Sequence, residues 1–178
     1  EFDTPDAAAD EPDACTAVSC SRDLRSVLDC NGNIARTCPP DLACGNGNCV
    51  SPCDAAAINE GSVGCSFTVP GPNTKVHARG SCYAFFVANN WTSPATLRFE
   101  ADGKEQSLDG AVWIPTVKDD VVTYTKLDGP IPPGGGAVVF VSNEETGAIY
   151  WTSCPAFVKP IFDKEQGIYG TGKGSATL

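Results

Sequence analysis

The chain has 178 residues, of which 42% are hydrophobic, so it can form one domain of ordinary size beside a smaller one. Its net charge of −10 at pH 7 disfavours nucleic acid as a partner, because proteins bind nucleic acid mainly through lysine and arginine contacts to phosphate. No apolar run approaches the roughly 18 residues of a membrane-spanning helix, so we expect no membrane insertion in this fragment. The chain carries no signal peptide and does not start with methionine, which indicates a mature or recombinant fragment.

Residues 1–14 consist largely of aspartate, alanine and proline and have almost nothing to bury. Such a segment cannot offset its ordering entropy, so we predict a disordered acidic linker, tethered to the cell surface by a lipid anchor upstream. The alternative is a Ca²⁺ site formed by Asp3, Asp6, Asp10 and Asp13, but they lack the glycine turn and spacing of an EF-hand loop.

Ten cysteines are spread unevenly, with seven of them between Cys15 and Cys53. So many thiols in a short chain indicate an oxidising compartment, and therefore a secreted or outer-cell-surface protein. The seven-cysteine segment contains no CxxC pair and no histidine, so its spacing favours disulfides over zinc. We therefore predict a disulfide-rich small domain over residues 15–53, built from short hairpins and loops, with no metal and no cofactor.

Seven is an odd number, so at least one of these cysteines must pair outside the small domain or remain free. Pairing Cys53 with Cys65 is economical because both flank the segment that joins the two domains, and Cys82 with Cys154 would then connect two strands. Fifteen connectivities stay open for the remaining six. These six are Cys15, Cys20, Cys30, Cys38, Cys44 and Cys49.

Residues 54–64 are predicted as a connector that contains one helical turn, with Asp54 as its N-cap. Residues 65–178 are predicted as an antiparallel β-sandwich of jelly-roll or immunoglobulin-like type, because short alternating segments are separated by glycine and proline turns. Residues 159–174 are polar and glycine-rich and are predicted as a loop. The chain end indicates either a truncated last strand or a frayed tail. Strands are predicted at residues 81–88, 95–101, 111–114, 121–127, 137–142 and 148–151.

Within these strands, Leu97 and Phe99 are expected to face inward, and residues 137–141 are expected to lie centrally in a sheet because they are apolar on both faces.

Catalytic chemistry finds little support in the sequence. His77 is the one histidine, and it lies in a loop-like stretch with no recognisable nucleophile context. Two carboxylates about 5–9.5 Å apart could support glycoside hydrolysis, but any acidic chain offers many pairs, and solvated surface charge is the ordinary role. The carboxylates considered are Glu100, Asp102, Asp119, Asp120, Glu144 and Glu145.

The three tryptophans are candidates for stacking on sugar rings. Trp113 and Trp151 lie in apolar strand segments and are expected in the core, whereas Trp91 lies in a loop and is the candidate for an exposed ligand contact. The same loop contains Asn90 in an Asn-Trp-Thr sequon, an N-glycosylation site in a eukaryotic host.

Several short motifs together form a pattern along the chain. They include Cys30-Asn31-Gly32-Asn33 and a later Asn-Gly-Asn-Cys-Val-Ser-Pro-Cys run that ends at Cys53. The pattern resembles secreted proteins and lipoproteins of myxobacteria and their relatives that are similar to the amino-terminal domain of IgGFc-binding protein. The resemblance implies an extracellular, β-rich adhesion or binding module with no catalytic centre, and proteins that continue beyond this chain. The matching pieces are residues 30–33, 44–54, 62–67, 84–89, 95–97, 131–135 and 170–176.

The sequence therefore predicts a surface-tethered, non-catalytic protein that adheres to or recognises an extracellular protein or glycan. One alternative is a carbohydrate-active enzyme or its carbohydrate-binding module. A second alternative is a protease-inhibitor-like or structural role for the cysteine-rich part.

Overall fold

The computed structural model describes residues 16–60, 63–69 and 79–164. By its internal contacts the chain divides into two compact units, Glu1–Glu60 and Gly61–Leu178, called here the head and the sandwich. The boundary falls inside the predicted connector, residues 54–64. The aspartates considered for Ca²⁺, the cysteine at position 15 and the histidine at position 77 lie outside the described residues.

The head is formed by two small antiparallel sheets and one helix. A tight turn connects the last two strands, and Asn46 and Gly47 occupy it with φ of 49° and 73°. Positive φ at both central residues defines the type I′ turn that two-residue hairpins prefer, and Asn-Gly adopts it at low cost. The strands are β1 (Ser19–Cys20), β2 (Ser26–Leu28) and β3 (Ile34–Thr37) in the first sheet, and β4 (Ala43–Gly45) and β5 (Asn48–Val50) in the second.

Helix α1 spans Pro52–Asn59 and belongs to the head. Its N-cap is Ser51, whose hydroxyl oxygen accepts a hydrogen bond from the backbone N–H of Asp54 at 3.2 Å. The prediction that Asp54 is the N-cap was wrong, because proline at the first helical position fixes the helix start earlier. Asp54 instead accepts a hydrogen bond from the Ser51 hydroxyl at 2.6 Å.

Gly45 allows the helix to lie close to β4. A Cβ at this position would come within 2.9 Å of the Ile58 side chain and 3.3 Å of the Ala55 backbone. The buried residues of the head are few and mostly small, and Val27 packs among the half-cystines Cys38 and Cys44. A core of this size requires covalent support.

Two disulfides supply that support inside the head, Cys20–Cys44 and Cys38–Cys49. Cys30, Cys53 and Cys65 are disulfide-bonded as well, and none of the cysteines in the described ranges is free. The predicted bridge between Cys53 and Cys65 stays a prediction. The fold is thus mostly β, with a small disulfide-rich head, as the sequence predicted.

The sandwich contains a four-stranded antiparallel sheet in the order β10-β9-β11-β6. β11 lies between β9 and β6, which confirms the prediction that residues 137–141 are central. A second, two-stranded piece is formed by the β7–β8 hairpin. The strands are β6 (Tyr83–Ala88), β7 (Phe99–Ala101), β8 (Lys104–Gln106), β9 (Val112–Lys118), β10 (Val121–Lys126) and β11 (Gly136–Ser142).

One face of the four-stranded sheet forms the main core. Val112, Ala137 and Val139 are buried on it. Ile131, which forms an isolated bridge with Ala95, packs against them. Phe99 and Ala101 of β7 extend this core, and the predicted inward direction of Phe99 is confirmed. The arrangement is an antiparallel sandwich with small sheets.

The opposite face of the same sheet carries aromatic side chains. The ring of Phe157 lies 4.6 Å from that of Trp113 and 5.5 Å from that of Tyr124, measured between centroids. Two aromatic residues of this sheet, one on β9 and one on β10, are therefore covered by a residue that lies outside the strands.

The end of the described chain is fixed by tertiary contacts instead of a strand. Residues 148–151 do not form the predicted strand; instead the indole N–H of Trp151 donates to the carbonyl oxygens of Glu144 and Gly80 at 2.9 and 3.2 Å. Gly80 has φ of 80°, and a Cβ there would clash with the Glu144 carbonyl oxygen. The Cys82–Cys154 disulfide predicted from the sequence closes the same region. Residues 159–164 form no strand beyond one isolated bridge at Phe162.

Candidate functional site

A cleft of about 320 Å³ opens on the sandwich beside the end of β10. Its apolar lining is formed by aliphatic side chains, and Val112 in that lining also belongs to the main core. Its polar groups are threonine and two aspartates. The lining residues are Thr96, Leu97, Leu108, Asp109, Val112, Leu127, Asp128, Gly129 and Pro130.

The two aspartates of the cleft share one cation. The Lys126 Nζ lies 2.9 Å from Oδ1 of Asp109 and 2.8 Å from Oδ1 of Asp128. All three side chains remain accessible, with 38% of Lys126 and about 70% of each aspartate exposed. We call these three residues the carboxylate clamp.

The clamp depends on strand register. Lys126 is the last residue of β10 and lies opposite Trp113 of β9, and the Leu127 N–H continues the ladder by donating to the Val112 carbonyl at 3.0 Å. Asp109 lies in the turn that leads into β9, and the Trp113 indole N–H donates to the carbonyl of the next turn residue, Gly110, at 2.9 Å. The ladder therefore brings Asp109 and Lys126, which are 17 residues apart in sequence, close enough for the ammonium group to donate to the carboxylate.

Lysine also determines the ionisation of the clamp. Its hydrogen bond to Asp109 and its charge lower the pKa of that carboxyl below the usual 3.8. The two aspartates in turn raise the pKa of Lys126, first through the hydrogen bond that Lys126 donates to Asp109 and then through the one that it donates to Asp128. At neutral pH the Asp109 group is therefore an anion, which accepts hydrogen bonds and does not donate them.

Clamped carboxylates are suited to binding hydroxyl groups. Each keeps oxygen lone pairs that the lysine does not use, and their positions are fixed before a ligand arrives. The leucine side chains beside them offer a surface for C–H groups. Hydrolysis of a glycosidic bond instead requires one carboxylic acid with a raised pKa, and Lys126 acts on Asp109 in the opposite direction.

The carboxylates considered from sequence lie elsewhere, and three of the six are in hairpin turns. Asp102 has φ of 51° before Gly103, and Asp119 and Asp120 have φ of 50° and 61°, so both pairs form type I′ turns of hairpins. Glu100 is exposed on β7, opposite Glu105 of β8. Glu144 and Glu145 follow β11. None of the six lines the cleft.

Two of the three tryptophans make indole hydrogen bonds within the sandwich. Trp113 and Trp151 are partly buried and their N–H groups donate to backbone carbonyls. Trp91, the candidate for an exposed contact, is also partly buried, and its Nε1 is enclosed with no hydrogen-bond partner among the described residues. Asn90 of the sequon is exposed, and its glycosylation stays a prediction.

Sequence reasoning missed Asn89, which is fully buried. Its Nδ2 donates to the carbonyl oxygens of Ser93, Ile131 and Pro132 at 2.8, 3.1 and 3.2 Å, and its Oδ1 accepts from the Trp91 N–H at 3.0 Å. Asn89 thus connects the end of β6 to the segment at Ile131 and Pro132 by hydrogen bonds. The sequence offered no signal for this role beyond a polar residue at the end of an apolar strand.

Within the described ranges, His, Cys, Asp and Glu side chains form no group of three that could hold a metal ion. No helix in the same ranges has both the length and the apolar character needed to cross a membrane. The chain was also compared with protein-family models, curated proteins and solved structures, and no match was found.

Proposed function

We propose that this protein is an extracellular recognition module that binds a glycan in the cleft without changing it chemically. The observation that carries the proposal is the carboxylate clamp: Asp109 and Asp128 lie within 3 Å of one Lys126 nitrogen at the rim of a leucine-lined cleft. Sugars present hydroxyl donors beside C–H surfaces, which is the complement of this lining.

The disulfides support the extracellular setting. Bridges such as Cys20–Cys44, Cys38–Cys49 and Cys82–Cys154 persist in oxidising compartments and are rare in the cytosol. The motif resemblance to the IgGFc-binding-like secreted proteins supports adhesion as the purpose of binding, with a cell-surface tether upstream.

Binding is favoured over hydrolysis by the charge of the clamp. A glycosidase of the ordinary kind uses one carboxylic acid that stays protonated near neutral pH, which burial or a neighbouring anion brings about. Asp109 is well exposed, and its hydrogen bond from the Lys126 ammonium group lowers its pKa, which is the opposite of what such an acid requires.

A glycan array tests the proposal with three forms of the protein. Wild type is expected to bind a defined set of glycans, and the D109N/D128N double variant is expected to lose at least tenfold in affinity, because two fixed acceptors become amides and lose the lysine. The matched control is E100Q/E105Q, which also removes two negative charges, but from an exposed cross-strand pair on the β7–β8 hairpin.

Equal losses in both double variants would contradict the cleft as the site. A wild-type protein that binds no glycan but captures a defined surface protein would replace the glycan by a protein partner.

A further inference from the structure

We infer that the protein forms a two-fold dimer in which β10 pairs with β10 of a second copy. β10 (Val121–Lys126) is the terminal strand of the four-stranded sheet, and β9 is its hydrogen-bonded neighbour among the described strands. The inference does not depend on the proposed glycan binding.

The outer edge of β10 presents unshared backbone groups. In the ladder, Leu127 donates to Val112, so the odd-numbered residues of β10 point their backbone groups at β9. Because the pattern alternates in antiparallel pairs, Val122, Tyr124 and Lys126 point theirs outward. A second strand of the same length can therefore be added at this edge.

The edge also lacks the usual protection against such pairing. Proteins protect edge strands with proline, bulges or charges along the strand. β10 reads Val-Val-Thr-Tyr-Thr-Lys, its register with β9 is continuous, and its one charge is at the end. Val121 and Val122 are 60% and 48% exposed, and Val117 opposite Val122 is 68% exposed.

Symmetry limits the registers that are available. Opposed residues in a sheet share a face, so a two-fold axis perpendicular to the sheet must place one residue opposite its own copy. Centring the axis on Thr123 pairs Thr123 with Thr123, Val122 with Tyr124, and Val121 with Thr125. Threonine pairs and aromatic–β-branched pairs are among the favoured cross-strand pairs.

Charge complementarity selects the same register. With Thr123 at the axis, Asp120 of each copy lies opposite Lys126 of the other. Asp120 makes no ion pair in the described part of the chain, and the Lys126 ammonium has three donors, of which Asp109 and Asp128 use two. Two opposite-charge pairs therefore form at no cost to the clamp.

The neighbouring registers lack these matches. Centring on Tyr124 places Asp120 opposite Asp128 and Val122 opposite Lys126. Centring on Val122 places Asp120 opposite Tyr124. Directly opposed like charges destabilise a sheet, so the Thr123 register is the self-complementary one.

Sedimentation equilibrium on the full chain gives the first test. Wild type is expected to reach a dimer and stop there as concentration rises. V122K places a charge on the outward edge and is expected to abolish the dimer, whereas the control V117K, on β9 and on the same face, is expected to leave it intact. A wild-type monomer at 100 µM, or association that continues past the dimer through the β6 edge, would overturn the inference.

Two variants in the Asp119-Asp120 turn test the register. D120N removes both predicted interchain ion pairs and is expected to weaken the dimer by about fivefold, taking a middle value for cross-strand charge pairs. D119N makes the same chemical change one residue away, opposite Leu127, and is expected to have no effect. If the two variants behave alike, the Thr123 register is wrong.

Crosslinking tests the axis directly. Opposed residues at a non-hydrogen-bonded position have Cα atoms about 4.5 Å apart, which a disulfide can span. T123C is expected to yield a covalent dimer on oxidation, whereas T125C, which would lie opposite Val121, is expected to remain uncrosslinked. The reverse result would contradict the Thr123 axis.

Discussion

The head and the sandwich solve the problem of stability in different ways. The described part of the head has few buried residues, and two of them are the half-cystines Cys38 and Cys44. The sandwich buries Val139, Val141 and Ile131 completely and has one described disulfide across a separation of 72 residues. A short chain segment thus depends on covalent bonds where a longer one depends on apolar burial.

Reduction should separate the two units most clearly. In a reducing agent at neutral pH we expect the head to unfold, because removing disulfides from so small a domain commonly abolishes its fold, whereas the sandwich keeps its hydrophobic core. Hydrogen exchange followed by mass spectrometry measures the outcome for each unit. Protected amides in β2 and β4 after full reduction would contradict this comparison.

Within the sandwich, replacing the buried Asn89 should lower the free energy of unfolding most. Asn89→Leu keeps the residue's approximate size but leaves the Ser93, Ile131 and Pro132 carbonyls without their donor. We expect the free energy of unfolding of the sandwich to fall by about 3 kcal/mol, since unpaired buried polar groups cost roughly 1–3 kcal/mol. Urea unfolding measures the change, with exposed Asn90→Ala as a control expected to cost far less.

Acid should produce the smallest effect, with a different cause in each unit. Asp29 in the head has a lowered pKa, first because it accepts the Asn33 backbone N–H, and Asp109 has one first because of the Lys126 hydrogen bond. A lowered folded-state pKa gives stability that is present above the usual 3.8 and is lost as pH falls through the folded value. Both groups are exposed, so the losses are small.

Salt separates the two causes. Raising ionic strength at neutral pH should weaken the Lys126–Asp109 pair and leave the Asp29 hydrogen bonds to backbone N–H groups largely unchanged. Side-chain NMR titration of each aspartate measures both pKa values. An Asp29 pKa that rises with salt as much as that of Asp109 would show that the two are held by the same kind of interaction.

The local features of the fold were predictable from sequence. Alternation placed Phe99 inward, and continuous apolar character placed β11 centrally, because side-chain period and burial are properties of each strand alone. The segment at residues 148–151 misled, since Trp151 is held by hydrogen bonds to carbonyls of distant residues instead of by a neighbouring strand. β8 was missed because Lys104–Gln106 is polar and largely exposed, so it lacks the apolar residues that mark a strand in the sequence.

The candidate site was less predictable for a physical reason. Asp109 and Lys126 meet because β9 and β10 pair in one particular register, and the Asp119-Asp120 turn that sets this register carries no glycine or asparagine to mark it. The role of Asn89 likewise depends on the carbonyl groups of residues 42 and 43 positions away. Such sites are properties of the assembled sheet.

The order of the two head disulfides along the chain has a consequence for resistance to proteolysis. Cys38 lies inside the loop closed by Cys20–Cys44, and its partner Cys49 lies outside that loop. A single proteolytic cut anywhere between Cys20 and Cys49 therefore leaves the two fragments joined by at least one bridge. A protease that cuts once between these two cysteines therefore releases no fragment, because the overlapping bridges keep both sides of the cut joined.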